Sequence, residues 1–135
     1  MRRIAAFNSE HQLQEQVCQY IRTRYGSDIV FMSDMSAGMK LTMGQAMKRK
    51  RINSSRSLPD LVVLHPVGEF HGLCLELKKE GITVFKKDGT IRSDEHLQEQ
   101  HEMLKRLDRL GYYAAFASGY DQAIETIDDY FARNL

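Results

Sequence analysis

The sequence predicts an α/β fold of three layers, with helices on both faces of a central mixed β-sheet. Three observations carry that expectation. Amphipathic stretches with helical periodicity occupy residues 9–25, 95–110 and 121–133, and short apolar runs occupy 29–32, 60–65, 71–78 and 112–117. Turn-forming residues separate most of these segments. With a short helix over about 43–51, the order is helix, strand, helix, strand, strand, helix, strand, helix. The 135 residues suit one domain spanning 1–135, with no internal repeat and no low-complexity linker.

Each element has a local reason. Ser9 and Gln12 match a capping box at the start of the first helix, Leu13, Val17, Tyr20 and Ile21 form its apolar stripe, and Gly26 follows its last turn. Residues 34–57 are harder to assign. Met35, Met39, Met43 and Met47 repeat every four residues, but Gly38 and Gly44 interrupt a continuous helix. The methionine stripe reads first as adaptable packing and second as a subunit interface. Asp60–His65 and His71–Lys78, joined by Pro66-Val67-Gly68-Glu69, read as an antiparallel hairpin. Asp88-Gly89 marks the tip of a smaller ribbon. Leu97, Leu104 and Leu107 face inward from the next helix, which Gly111 stops. Tyr112–Ala117 is a strand, and Ala123, Ile124, Ile127, Tyr130 and Phe131 are the buried positions of the last helix.

Composition excludes several classes. No run approaches the roughly 20 apolar residues of a membrane span, and Met1–Phe7 is too quickly polar for a signal peptide. Cys18 and Cys74 form no CxxC and read as reduced thiols, so a cytoplasmic location is expected. His96 and His101 are five apart, which does not align them as zinc ligands on a helix. The net charge of +1 conceals an asymmetry. Residues 36–57 hold six basic side chains (Lys40, Lys48, Arg49, Lys50, Arg51 and Arg56) and no acid, which leaves −5 on the rest. Such a segment suits a polyanion, or is simply a solvated basic face.

The hairpin gathers polar residues. Alternation along the second strand puts Leu73, Leu75 and Leu77 on one face and Cys74, Glu76 and Lys78 on the other. On that face Glu76 and Lys78 are about 7 Å apart. A turn centred on Gly68 pairs residues whose numbers sum to 136, setting His65 against His71 and Asp60 against Glu76. Paired carboxylates lie roughly 5 Å apart at Cβ and repel, unless a divalent cation sits between them. A solvated Glu-Leu-Lys face after a Pro-Asp turn is the plain alternative.

Pro59-Asp60, fifteen intervening residues and Glu76-Leu77-Lys78 resemble the PD-(D/E)xK signature of restriction-endonuclease-like nucleases. The wider pattern is similar to VRR-NUC (virus-type replication-repair nuclease) domains, notably small standalone phage-type ones. It includes Ser9-Glu10, Tyr20-Ile21-Arg22, Leu58-Pro59-Asp60-Leu61, His71-Gly72-Leu73, His96-Leu97-Gln98-Glu99-Gln100, and Leu107 through Gly111-Tyr112. It runs through nearly the whole chain in order. Leu58 departs from the Gly or aromatic residue common before the Pro, which should affect packing only.

The resemblance implies a restriction-endonuclease-like fold and a Mg²⁺- or Mn²⁺-dependent DNA endonuclease leaving 5′-phosphate and 3′-hydroxyl ends. Asp60, Glu76 and the Leu77 main-chain carbonyl would bind metal. Lys78 would orient the attacking water, Glu10 would serve a second metal or its water shell, and Gln100 would support the lysine or the water. Read without the resemblance, Glu10 is an acid suited to a helix N-terminus, and Gln100 is either a satisfied core glutamine or a site residue. Lys40, Lys48, Arg49, Lys50, Arg51, Arg56, Lys86, Lys87 and Arg92 would hold DNA phosphates. Standalone relatives are expected to be homodimers selective for branched DNA such as four-way (Holliday) junctions. A restriction-like or flap nuclease and a non-catalytic DNA-binding module are the alternatives.

Overall fold

In the computed structural model, which describes residues 10–36 and 39–133, the elements follow the predicted order. They are α1 (Glu10–Tyr25), β1 (Phe31–Ser33), α2 (Met43–Ile52), β2 (Leu61–Val63), β3 (Leu73–Lys78), α3 (Glu95–Arg109), β4 (Tyr113–Ser118) and α4 (Tyr120–Phe131). Ser9 and Gly38 lie outside the described residues. Among those described, no helix is long and apolar enough to cross a membrane.

The sheet order is β1-β2-β3-β4, with the first two pairings antiparallel and β3 parallel to β4. In the β2–β3 ladder Leu61 faces Leu75, Val62 faces Cys74 and Val63 faces Leu73, the register expected from a turn at Gly68. The strands are shorter than predicted, and His65 does not pair with His71 in this ladder. The turn pair Val67–Phe70 is one residue out of the ladder's register, so the pairing is interrupted between it and Val63. An isolated bridge from Val67 to Phe70 closes the turn, and the His71 N–H goes instead to the Gly111 carbonyl at 2.8 Å. Gly72 is required where the strands meet, because a Cβ there would lie 2.6 Å from the Val63 carbonyl oxygen.

One face of the sheet holds the main core. Leu61, Val63, Leu73, Leu75 and Leu77 pack against Leu13, Val17 and Ile21 of α1 and Ala123, Ile127 and Tyr130 of α4. Helix α3 covers the other face, where Cys74, Val84, Leu97 and Leu104 are buried outside that core. Both cysteines are free and buried. The two helices of the main core are also joined by polar contacts. Asp128 of α4 accepts hydrogen bonds from the hydroxyls of Tyr20 (2.8 Å) and Tyr25 (2.5 Å) of α1.

Helix α2 departs from expectation. A capping box of Thr42 and Gln45 starts it, but none of its residues is buried. The methionines at 35, 39, 43 and 47 are 52–81% exposed, so they do not fill this chain's own core. The helix lies off the sheet, attached by the Arg49–Asp34 ion pair at 2.9 Å.

The tyrosine–aspartate contact should be energetically coupled. Replacing Asp128 with Ala is expected to lower the unfolding free energy by about 1.5–3 kcal/mol, the range for hydrogen bonds to a charged group. In urea titrations the loss should shrink when Tyr20 and Tyr25 are already Phe; strictly additive losses would contradict the contact.

Candidate metal centre at the end of the hairpin

Strand β3 is buried along its whole length, its leucine side chains at 0–1% exposure on the core face. Glu76 and Lys78 lie on the opposite face at 3% and 7% exposure, so this face is covered rather than solvated. The position of α3 explains it. Asp94 caps that helix through the Leu97 N–H (3.0 Å), and the inward stripe of Leu97, Gln100 and Leu104 lies over the polar side of the strand.

Asp60 immediately precedes β2, and continuing the ladder register sets it opposite Glu76. Its main chain is fixed from β1, because its carbonyl accepts from the Asp34 N–H (2.9 Å) and the Ser33 hydroxyl (2.6 Å). Its Oδ2 accepts the Leu77 N–H at 2.8 Å. Gln14 of α1 holds this support in turn, with Nε2 donating to Ser33 Oγ (2.5 Å) and the Asp34 carbonyl (2.6 Å). The sequence reading passed over Gln14, Ser33 and Asp34. Its available signal was Gln14 itself, a polar residue between Leu13 and Val17 on a buried stripe.

The two carboxyls cannot both ionise comfortably. Burial pushes the Asp60 carboxyl upward, against the hydrogen bonds and the Lys78 charge that favour its anion. Burial also raises Glu76, to about 10, and repulsion from Asp60 and a hydrogen bond to it add to the rise. Burial and the neighbouring acid therefore both favour the protonated form of Glu76. Lys78 counters through its charge, yet forms no ion pair among the described residues. Gln100 is 5% exposed and donates from Nε2 to Glu76 Oε1 at 2.8 Å. Its own Oε1 is buried with no hydrogen-bond partner.

These residues fit a divalent cation. Two neighbouring carboxyls that resist double ionisation suit a hard cation, which would offset their repulsion, and the Gln100 oxygen is a buried acceptor without a partner on the residue that contacts Glu76. The Leu77 carbonyl lies on the β2 side of the strand, the side from which Asp60 approaches. Main-chain carbonyls of successive strand residues point to alternate sides, and the Lys78 carbonyl is taken by Gly119 on the β4 side. Among the described residues no three His, Cys, Asp or Glu side chains gather as a metal cluster. Glu10, half-buried at the start of α1, acts on Glu76 through its charge and is not gathered with the pair as a third ligand.

The fold has a known counterpart. A solved structure described as a VRR_NUC domain protein matches with a TM-score of 0.67 and 22% identity, over 99% of this chain and 93% of that one. This chain has the VRR_NUC fold. No protein-family model and no curated protein matches it. The VRR_NUC-like arrangement therefore rests on architecture, and the site rests on the geometry above.

The basic residues divide into two groups. Lys40, Lys48, Lys50 and Arg51 are exposed on and before α2, and Lys86 and Lys87 are exposed on the ribbon after β3. Three arginines are already engaged within the chain. Arg49 pairs with Asp34, Arg56 forks onto Glu99, and Arg92 donates to the Thr83 carbonyl at 2.8 Å.

The carboxyl pair makes metal-free stability depend on pH. Because Glu76 binds its proton more tightly folded than unfolded, its contribution is complete below about pH 4.5 and is lost as pH rises toward about 10. Glu76→Gln keeps the shape without the charge. In chelator at about pH 8 its melting temperature should exceed that of the parent, and added Mg²⁺ should raise only the parent. A parent curve that is flat with pH and indifferent to Mg²⁺ would contradict this site.

Proposed function

We propose that this chain is a divalent-metal-dependent DNA nuclease of the VRR-NUC kind. The observation that carries the reading is the Asp60–Glu76 carboxyl pair, half-buried at Asp60 and buried at Glu76, with Lys78 beside it at the end of a hairpin in a VRR_NUC-like fold. Mg²⁺ or Mn²⁺ held by Asp60, Glu76 and the Leu77 carbonyl would neutralise phosphate charge and activate water.

The side chains have separable tasks. Asp60 is oriented by the Leu77 N–H, and Gln100 orients Glu76. Lys78 places a fixed positive charge where negative charge grows on the phosphate and holds the attacking water. Glu10 tunes the site electrostatically from α1 and would reach a second metal only through water. Lys40, Lys48, Lys50, Arg51, Lys86 and Lys87 hold backbone phosphates, which gives salt-dependent affinity with little base reading.

Selectivity for branched DNA, including four-way junctions, would then come from pairing two sites in a homodimer. The surface supports that reading. Val30 and Met32 beside the sheet edge, with Met35, Met39, Met43 and Met47, are all more than half exposed. An edge strand next to an apolar patch is suited to self-association about a two-fold axis.

Two measurements test the proposal. With Mg²⁺ and branched or linear DNA, Lys78→Ala should slow cleavage by about 10²–10³-fold without changing the circular dichroism. No cleavage by the parent, or equal cleavage by the variant, would refute the enzyme. Separately, Met32→Glu combined with Met43→Glu should convert a dimer to a monomer in sedimentation; a parent already monomeric would remove the dimer.

A further inference from the structure

The segment that follows β3 carries an exposed aromatic ring on the α3-covered face of the sheet, the face that holds Glu76 and Lys78. Residues 84–92 form a small ribbon, with Phe85 bridged to Ile91, the Arg92 N–H bonded to the Val84 carbonyl (3.0 Å) and the Lys86 N–H bonded to the Thr90 carbonyl (2.7 Å). Val84, 5% exposed, anchors it. Ser118 Oγ ties the approach to the ribbon by donating to the Ile82 carbonyl at 3.0 Å.

Phe85 meets His101 of α3 at 5.6 Å and Phe116 of β4 at 5.9 Å, its ring nearly perpendicular to both. Neither ring stacks flat on it, and Phe85 remains 41% exposed. Phe116 is the register partner of Glu76, so the ring that Phe85 packs on belongs to the strand position next to that acid. Lys86 and Lys87 follow it directly, exposed and without an ion pair among the described residues.

A rigidly mounted aromatic ring with lysines alongside has the chemistry that receives an unpaired nucleobase: the ring stacks on the base and the ammonium groups take its phosphates. We propose that Phe85 is a stacking platform for an unpaired DNA base next to the scissile phosphate. The proposal rests on the nuclease reading for the identity of its ligand. It gives this chain a local means of preferring splayed strands over continuous duplex, because a base within intact duplex already stacks on its neighbours.

The test measures binding, not cleavage, using the whole chain in chelator. An oligonucleotide carrying 2-aminopurine is offered single-stranded and as a duplex. The parent and Phe85→Tyr should quench the unpaired probe. Phe85→Leu keeps apolar contact with His101 and Phe116 but should bind the single strand about 5- to 150-fold more weakly, the range of one base–aromatic stack. Its duplex affinity, set by phosphate contacts, should stay within roughly twofold. Equal loss on both DNAs, or no loss, overturns the platform. A chain that stacks DNA without cleaving it fails only the nuclease reading, and one that cleaves while Phe85→Leu binds like the parent fails only this one.

Discussion

Strand β3 extends past the end of β2. The ladder between them reaches Leu61 opposite Leu75, while β3 continues to Lys78 with only β4 as a ladder partner. The Leu77 N–H thus faces a side where no strand accepts it, and a buried donor left unpaired costs about 1–3 kcal/mol. Asp60, the residue just before β2, fills that need with its carboxylate. A backbone requirement of the sheet thereby brings one acid against another, since the same register sets Asp60 opposite Glu76. The remaining supports extend this arrangement outward. Ser33 and Asp34 hold the Asp60 carbonyl, and Gln14 holds Ser33, so an unbroken run of hydrogen bonds connects α1 to the main chain of Asp60.

The arrangement is costly for folding. Glu76 and Lys78 are withdrawn from water, and Asp60 partly so, with no close ion pair between them, which ordinarily weighs against the native state. The opposite face of the sheet offsets that cost. There the same strand contributes three leucines at 0–1% exposure, packed against α1 and α4. Strict alternation along β3 lets stability and electrostatic strain occupy two sides of six residues. Gln100 shows the same division on a smaller scale, as one amide end satisfies Glu76 and the other remains a buried acceptor.

Much of this was legible in the sequence because short-range rules govern it. A turn at Gly68 and the two-residue period of a strand were enough to set Asp60 against Glu76 and to separate the leucine face from the polar one. Gln100 stood out because a polar residue interrupted an apolar stripe. Other features depend on contacts that no local rule supplies. The ion pair from Arg49 to Asp34 spans fifteen residues, and the fork from Arg56 to Glu99 joins a loop to a helix far along the chain. Both arginines looked like free phosphate ligands when only charge was counted. The burial of Glu76 and Lys78 was hidden for a similar reason, since it depends on where α3 lies and not on β3 itself.

The methionine stripe shows how a correct period can still mislead about packing. Spacing by four does align Met43 and Met47 on a helix, yet that helix has no buried residue and is only ten residues long. Isolated helices of that length are marginal in water, so its local devices carry unusual weight. The Thr42–Gln45 capping box satisfies its first turn, and the Asn53 side chain returns to the Arg49 carbonyl at its end. Arg49 then joins it to Asp34, whose N–H is bonded to the Asp60 carbonyl. The basic helix is thus tied to the hairpin terminus through the same residues that position the carboxyl pair. Arg49 serves this attachment, and Lys48 and Lys50 remain exposed without an ion pair among the described residues.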